Sequence, residues 1–213
     1  MFEYSSKYKF NEKWFDPMIP QWEQVFNTPS SFGYTPTNIL EIGSYEGRAT
    51  IWLCENVLID EGTKYSYDIV DTFGGSLVES GMKNTADKFK NDKDFIYDNF
   101  THNISFFPNI DFKIYRDFST QQLPKLIKKG KKYDFIYIDA SHKADDTFVD
   151  AYYAHSMLEK EGILIFDDLM WKDPNAPHPV NSPELGIKMF MECYGDQYKI
   201  IFQGYQLGLI KKQ

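Results

Sequence analysis

From residue 38 onward the chain repeats one pattern. A short apolar run is closed by glycine or an acid, and apolar residues then recur three and four positions apart. Asn38-Ile39-Leu40-Glu41-Ile42-Gly43 is such a run and predicts a buried strand followed by a turn. Ala49, Leu53 and Val57, with Trp52, then keep helical spacing up to a stop at Gly62. Lys64 to Val70 predicts a second strand ending at Asp71, and Asp111 to Tyr115 a third. Between them, residues 74–110 are polar and interrupted by Gly74, Gly75 and Gly81, which predicts a mobile loop and a helix around Phe89 to Phe106. Leu123 to Ile127 sits on a helix that ends at Lys129-Gly130. Tyr133-Asp134-Phe135-Ile136-Tyr137-Ile138-Asp139 is the clearest strand of all. A helix through Phe148 to Leu158 should stop at Glu161-Gly162, before a buried strand from Ile163 to Phe166 that ends at Asp167-Asp168. After a loop with Pro174, Pro177, Pro179 and Pro183, residues 184–194 predict a helix. Tyr198 to Phe202 and Tyr205 to Ile210 predict two strands turning at Gly204.

Strands alternate with helices, so the predicted class is α/β with a mostly parallel sheet. The final two strands are too close for a crossover and must be antiparallel. Residues 1–37 have a different texture, aromatic and irregular, with Trp14, Phe15, Trp22, Phe26 and Phe32. They predict an N-terminal extension packed on one domain that spans 38–213. A length of 213 residues suits that organisation. Hydrophobic residues at 42% and aromatics at 17% supply a core and exclude a wholly disordered chain.

Charge narrows the partners. Thirty-one acids against 23 bases leave a net charge of -8, without the basic stripe that a phosphate backbone or an anionic membrane requires. Lys128-Lys129-Gly130-Lys131-Lys132 is read instead as a helix end, where positive charge complements the dipole. No basic, apolar leader opens the chain, and no stretch approaches the ~20 apolar residues of a membrane span. A reduced, cytoplasmic setting is the expectation. The two cysteines, Cys54 and Cys193, lie in no metal-binding spacing and are expected to be buried free thiols. A homo-oligomer stays open.

Ligands of such sheets bind beyond the carboxyl ends of the strands, and here every predicted end carries an acid: Glu41, Asp71, Asp117, Asp139 and Asp167-Asp168. The first loop, Glu41-Ile42-Gly43-Ser44-Tyr45-Glu46-Gly47, fails the dinucleotide pattern because Tyr45 stands where a second glycine is needed. It also fails the nucleotide triphosphate pattern, because Arg48 follows Gly47 where a lysine is required. A ligand without phosphates fits it better. Amides near Gly47 can receive a carboxylate, and Asp71 at the next strand end can accept from two ribose hydroxyls. Those features together describe S-adenosylmethionine.

At these residues the chain resembles class I S-adenosylmethionine-dependent methyltransferases, and more narrowly the methyltransferase-24 type that acts on sugars and small molecules. The resemblance rests on four ordered segments: Ile39 to Arg48, Asp71-Thr72-Phe73-Gly74-Gly75-Ser76, Asp134 to His142, and Gly162 to Asp168. Trp14-Phe15 and Ile19-Pro20-Gln21-Trp22-Glu23 also look like that branch's approach to its first strand. Ala140 departs from it, where glycine is usual. The resemblance implies a Rossmann-like seven-stranded sheet of order 3-2-1-4-5-7-6 with strand seven antiparallel. It also implies cofactor contacts from Glu41, Gly43, Ser44 and Gly47, from Asp71 with Thr72 and Phe73, from Asp117 and Phe118 near the adenine, and from Asp139.

Asp139, Asp167 and Asp168 come from two neighbouring strand ends, close enough to share one hard cation. Mg²⁺ suits such oxygen ligands and would lower the pKa of a substrate hydroxyl; sugar O-methyltransferases of this fold bind it at a similar arrangement. The other reading is that Asp167-Asp168 caps a turn and Asp139 touches only the cofactor. His142, on the loop after Asp139, is placed to take the substrate proton as a general base, or else to bond the loop backbone. The expected activity is O-methylation of a sugar, glycan or other small polar acceptor. Methylation of a protein or a phenolic natural product, or a fold that binds without turnover, remain the alternatives.

Overall fold

The computed structural model describes residues 2–26, 35–74, 88 and 92–212. Its strands are β1 (Asn38–Ile42), β2 (Tyr65–Val70), β3 (Ile110–Tyr115), β4 (Tyr133–Ile138), β5 (Leu158–Phe166), β6 (Tyr198–Gln203) and β7 (Leu207–Lys211). They form one seven-stranded sheet in the order β3-β2-β1-β4-β5-β7-β6. Neighbours from β3 to β5 pair in parallel, and β7 runs antiparallel to both β5 and β6. This is the order and polarity that the resemblance implies.

Side chains alternate across the sheet with a period of two, and each face has its own core. Ile39, Tyr67, Ile69, Phe135, Tyr137, Ile163 and Ile165 point to one face. They meet α2 (Arg48–Asn56), α3 (Phe95–Ile104) and the N-terminal aromatics. Leu40, Ile42, Ile136, Ile138, Leu164 and Phe166 point to the other face. There they meet α4 (Ser119–Lys128), α5 (Ala144–Met157) and α6 (Pro183–Tyr194).

Three local expectations change. Residues 1–37 are not irregular throughout, because Ile19–Phe26 forms a helix, α1. Its Trp22 is fully buried, edge-on to Trp52, Phe135 and Tyr137. Burial of that ring outweighs the weak signal of an eight-residue segment carrying Pro20. The helix expected to reach Glu161 ends at Met157, since Leu158 pairs with Tyr133 and extends β5 backwards. The chain then turns through Glu161 at φ 63°. Finally, Cys54 is a buried free thiol, but Cys193 on α6 is exposed. Of the loop and helix expected over residues 74–110, residues 75–87 and 89–91 lie outside the described residues, and the helix expected around Phe89 to Phe106 runs from Phe95 to Ile104.

The lysine run is more than a solvated helix end. Lys131 Nζ lies 2.9 Å from Asp68 Oδ2, a carboxylate with no exposure that also accepts from the Tyr133 hydroxyl at 2.7 Å. A buried acid needs such partners.

Candidate cofactor and acceptor site

Backbone bonds carry the parallel ladder one step beyond the strands and line up their carboxyl ends. Asp71 N donates to Tyr115 O, Gly43 N to Val70 O, Asp139 N to Ile42 O and Asp167 N to Ile138 O, at 2.8–3.2 Å. Asp71, Gly43, Asp139 and Asp167 therefore stand in one row along a single sheet edge. Local backbone strain collects at the same edge, where Tyr45, Phe73 and Asp168 hold positive φ of 52°, 50° and 58°. Such conformations cost energy in residues with a Cβ and persist where surrounding structure enforces them.

In the first loop, Gly43 has φ 84°, and a Cβ there would stand 2.0 Å from the carbonyl oxygen of Asp139. Only glycine lets β1 and β4 approach so closely. Gly47, at φ 81°, enters α2. Asp71 closes the loop from the next strand. Its Oδ2 accepts from Ser44 N at 2.6 Å and Tyr45 N at 2.8 Å, and its Oδ1 from Phe73 N at 2.6 Å. A carboxylate offers about four acceptor sites, so Oδ1 keeps room for a further donor. Thr72 Oγ1 accepts from Gly74 N at 3.2 Å, which tightens the same turn. Phe73 is buried against Tyr97 and Phe100.

Glu41 faces inward. It is 1% exposed, and its Oε2 accepts from Thr50 Oγ1 at 2.8 Å and Tyr67 OH at 2.5 Å. Burial raises its pKa to about 7, despite those two hydrogen bonds. Asp117 Oδ1 accepts from Phe118 N at 2.9 Å, and its Oδ2 pairs with Lys125 at 2.9 Å. The Lys125 bond holds its pKa below the usual carboxylate value. Phe118 is 63% exposed, so it is no core residue and presents an open ring next to the strand ends.

The three other acids converge. Tyr137 OH bonds Asp167 Oδ2 and lies 3.2 Å from Asp139 Oδ2. Gln206 Nε2 donates to the same Asp167 oxygen at 3.1 Å, and Asp168 N to Asp167 Oδ1 at 2.7 Å. Burial, then the charges of Asp167 and Asp168, push Asp139 well above its ordinary pKa. Burial and the Asp168 charge push Asp167 up to about 6. Asp168 Oδ2 meets His142 Nε2 at 2.9 Å, and the imidazole lies against Trp171 with ring centroids 4.2 Å apart. Among the described residues, no three His, Cys, Asp or Glu side chains are grouped as a ready metal cage. The other histidines have structural settings: His102 Nε2 on Lys7 O, His155 Nδ1 on Tyr198 OH, and His178 Nδ1 accepting from Val180 N.

Sequence reasoning missed Tyr137, Gln206 and Trp22, which form one buried chain. Trp22 Nε1 donates to Gln206 Oε1 at 2.8 Å, and so turns the Gln206 amide nitrogen toward Asp167. Tyr137, two residues before Asp139 on a strand and so on the same face, was the one local clue.

No curated protein matches the chain. Solved structures do. TomG, an O-methyltransferase from Streptomyces achromogenes involved in tomaymycin synthesis and solved with SAM, is 14% identical, with 84% of this chain and 74% of that one covered at a TM-score of 0.55. The N-methyltransferase NodS from Bradyrhizobium japonicum is 11% identical, covering 93% and 98% at 0.56. CalS11, a TDP-rhamnose 3'-O-methyltransferase of calicheamicin biosynthesis, is 16% identical, covering 92% and 78% at 0.51. These likenesses are of fold. Identity at the level of family comes from the sequence itself, since residues 40–169 match the family model described as a methyltransferase domain, Methyltransf_24. That match spans the glycine loop, Asp71 and the acidic edge, and so this chain belongs to the methyltransferase-24 family and is an S-adenosylmethionine-dependent methyltransferase of class I.

Proposed function

We propose that the protein transfers the methyl group of S-adenosylmethionine to a hydroxyl oxygen of a sugar, glycan or other small polar acceptor. The observation that carries this reading is the His142–Asp168 contact at 2.9 Å, set among Asp139 and Asp167 at the strand ends next to the cofactor loop. Gly43, Ser44, Gly47 and Asp71, with Thr72, Phe73, Asp117 and Phe118, would receive the cofactor, and Glu41 supports them from below through Thr50 and Tyr67.

Transfer is an in-line displacement, in which an acceptor oxygen forms a bond to the methyl carbon while the carbon–sulfur bond breaks. The cofactor leaves as S-adenosylhomocysteine. The protein must align three atoms and take one proton. His142 is suited to that proton. Asp168, against Nε2, would orient the imidazole, and that ring is the group that would receive the hydroxyl proton. Trp171 packs against the ring.

The chemistry of the donor set fits a hard divalent cation. Asp139, Asp167 and Asp168 offer only carboxylate oxygens, and burial, then their mutual charge, raises the pKa of Asp139 and Asp167, a cost that a cation would relieve. These three residues would hold Mg²⁺, which when bound lowers the pKa of a ligated acceptor hydroxyl. Asp168 would have to exchange its His142 contact for this role. The experiment is turnover of S-adenosylmethionine with sugar and nucleotide-sugar acceptors, with and without EDTA. Loss of S-adenosylhomocysteine formation in EDTA and its return on adding Mg²⁺ support the cation. Full turnover by metal-free enzyme returns Asp167-Asp168 to a turn cap or an acceptor contact.

A further inference from the structure

The cofactor loop is held at two points, and the second is made by the N-terminal segment. Glu46, between Tyr45 and Gly47, is 1% exposed and takes its hydrogen bonds from amides. Asn11 N reaches its Oε2 at 2.6 Å, and Asn11 Nδ2 and Asn99 Nδ2 reach its Oε1 at 2.5 and 2.8 Å. Asn103, fully buried one turn after Asn99 on α3, binds the same junction as a peptide group would. It accepts from Lys9 N at 2.7 Å and donates to Lys9 O at 3.0 Å and Glu46 O at 2.8 Å. Two residues beyond Glu46, Arg48 is gripped by Asp16 through Nε and Nη2 and lies over the rings of Tyr4 and Phe10. Trp14 leans on Tyr45 with centroids 5.2 Å apart, yet remains 53% exposed.

A lone carboxylate is costly to bury, and this one is satisfied by groups from residue 11 and from α3. The loop residues between the Asp71 and Glu46 anchors include Tyr45 at φ 52°, which needs enforcement from both sides. We propose that residues 9–16 are a clasp on the cofactor loop, with Asn11 and Glu46 as positioning residues for S-adenosylmethionine. The clasp sets the direction of the loop amides, so order in the N-terminal segment and occupancy of the cofactor site are linked.

This inference rests on the cofactor assignment, and the probe is S-adenosylhomocysteine alone. Hydrogen exchange of the wild-type chain at the Lys9 and Asn11 amides should slow when it is added. Calorimetry should show Asn11→Ala and Glu46→Gln weakening its affinity on the order of tenfold or more; the glutamine brings an NH₂ to a place where N–H donors already point. Tyr8→Phe is the control. It cuts the 2.5 Å bond from the N-terminal segment to Glu55 on α2 without touching the loop, so affinity should stay at the wild-type value, whereas a merely structural segment would lose affinity here as in the other two variants. Exchange at Lys9 and Asn11 indifferent to the ligand, or folded Asn11→Ala and Glu46→Gln chains of wild-type affinity, would overturn the clasp. A wild-type chain that binds no S-adenosylhomocysteine would overturn the cofactor assignment and the clasp with it.

Discussion

At the scale of single residues, Asp71 and Asp150 make opposite uses of a carboxylate. Asp71 gathers three backbone N–H groups of two loops. Asp71→Ala should therefore disorder the Gly43–Gly47 loop and, on the proposed cofactor assignment, also remove a ribose acceptor. Each charge-assisted bond is worth about 1.5–3 kcal/mol, so calorimetry should find S-adenosylhomocysteine affinity reduced at least tenfold. Asp150 on α5 is 1% exposed, and burial, with the Asp146 charge, raises its pKa to about 7. The folded chain then binds a proton that the unfolded chain has released. This acid lowers stability as pH climbs from its unfolded pKa, about 4, to its folded value, and the penalty is constant above that. Asp150→Asn should stabilise the protein at pH 8 by on the order of 2–4 kcal/mol and leave it little changed at pH 4, as read by denaturant unfolding. Equal stabilities of the two chains at pH 8 would contradict the burial argument.

At the scale of elements, strand ends were legible because two local signals coincide there. A run such as Phe135 to Ile138 can satisfy itself only inside a sheet, and the acid or glycine after it marks where the sheet stops. The final hairpin was legible from loop length alone. What stayed hidden depends on partners distant in sequence. Met157 ends α5 because Leu158 is captured by Tyr133, although Leu158, Glu159 and Lys160 are good helix formers. Likewise α1 exists because the sheet offers Trp22 a site among Trp52, Phe135 and Tyr137. Trp22→Phe tests this element's second role. It keeps an aromatic ring in place but leaves Gln206 Oε1 buried and without its donor, at a cost of about 1–3 kcal/mol in thermal or denaturant unfolding. Gly43→Ala should be harsher. The β1–β4 junction has no room for the methyl group, so both folding temperature and S-adenosylhomocysteine binding should fall.

At the scale of the whole molecule, the two faces of the sheet divide the work. One face carries Glu41, Glu46, α2, α3 and the N-terminal aromatics, which shape the cofactor loop from below and beside. The other packs α4, α5 and α6 and holds the sheet rigid. The acidic edge between them, from Asp71 to Asp168, could be seen in the sequence as a list of strand-end acids. Its internal wiring could not, because Tyr137 reaches Asp167 only once β4 pairs with β5, and Gln206 only after β7 inserts between β5 and β6. Among the described residues, no helix is long and apolar enough to cross a membrane.

On the reading proposed above, methyl transfer to a hydroxyl takes place at the edge where His142 meets Asp168. Mass spectrometry of S-adenosylmethionine reactions with matched hydroxyl, amine and thiol acceptors, sugars and nucleotide sugars among them, tests it most directly. The account predicts that a hydroxyl acceptor gains one methyl group as S-adenosylhomocysteine forms. It further predicts that His142→Ala slows this step by ~10²–10⁴-fold and that Asp168→Asn also loses turnover, while both variants still bind the cofactor. Methylation confined to amines or thiols, or wild-type rates from both variants on a hydroxyl acceptor, would contradict it.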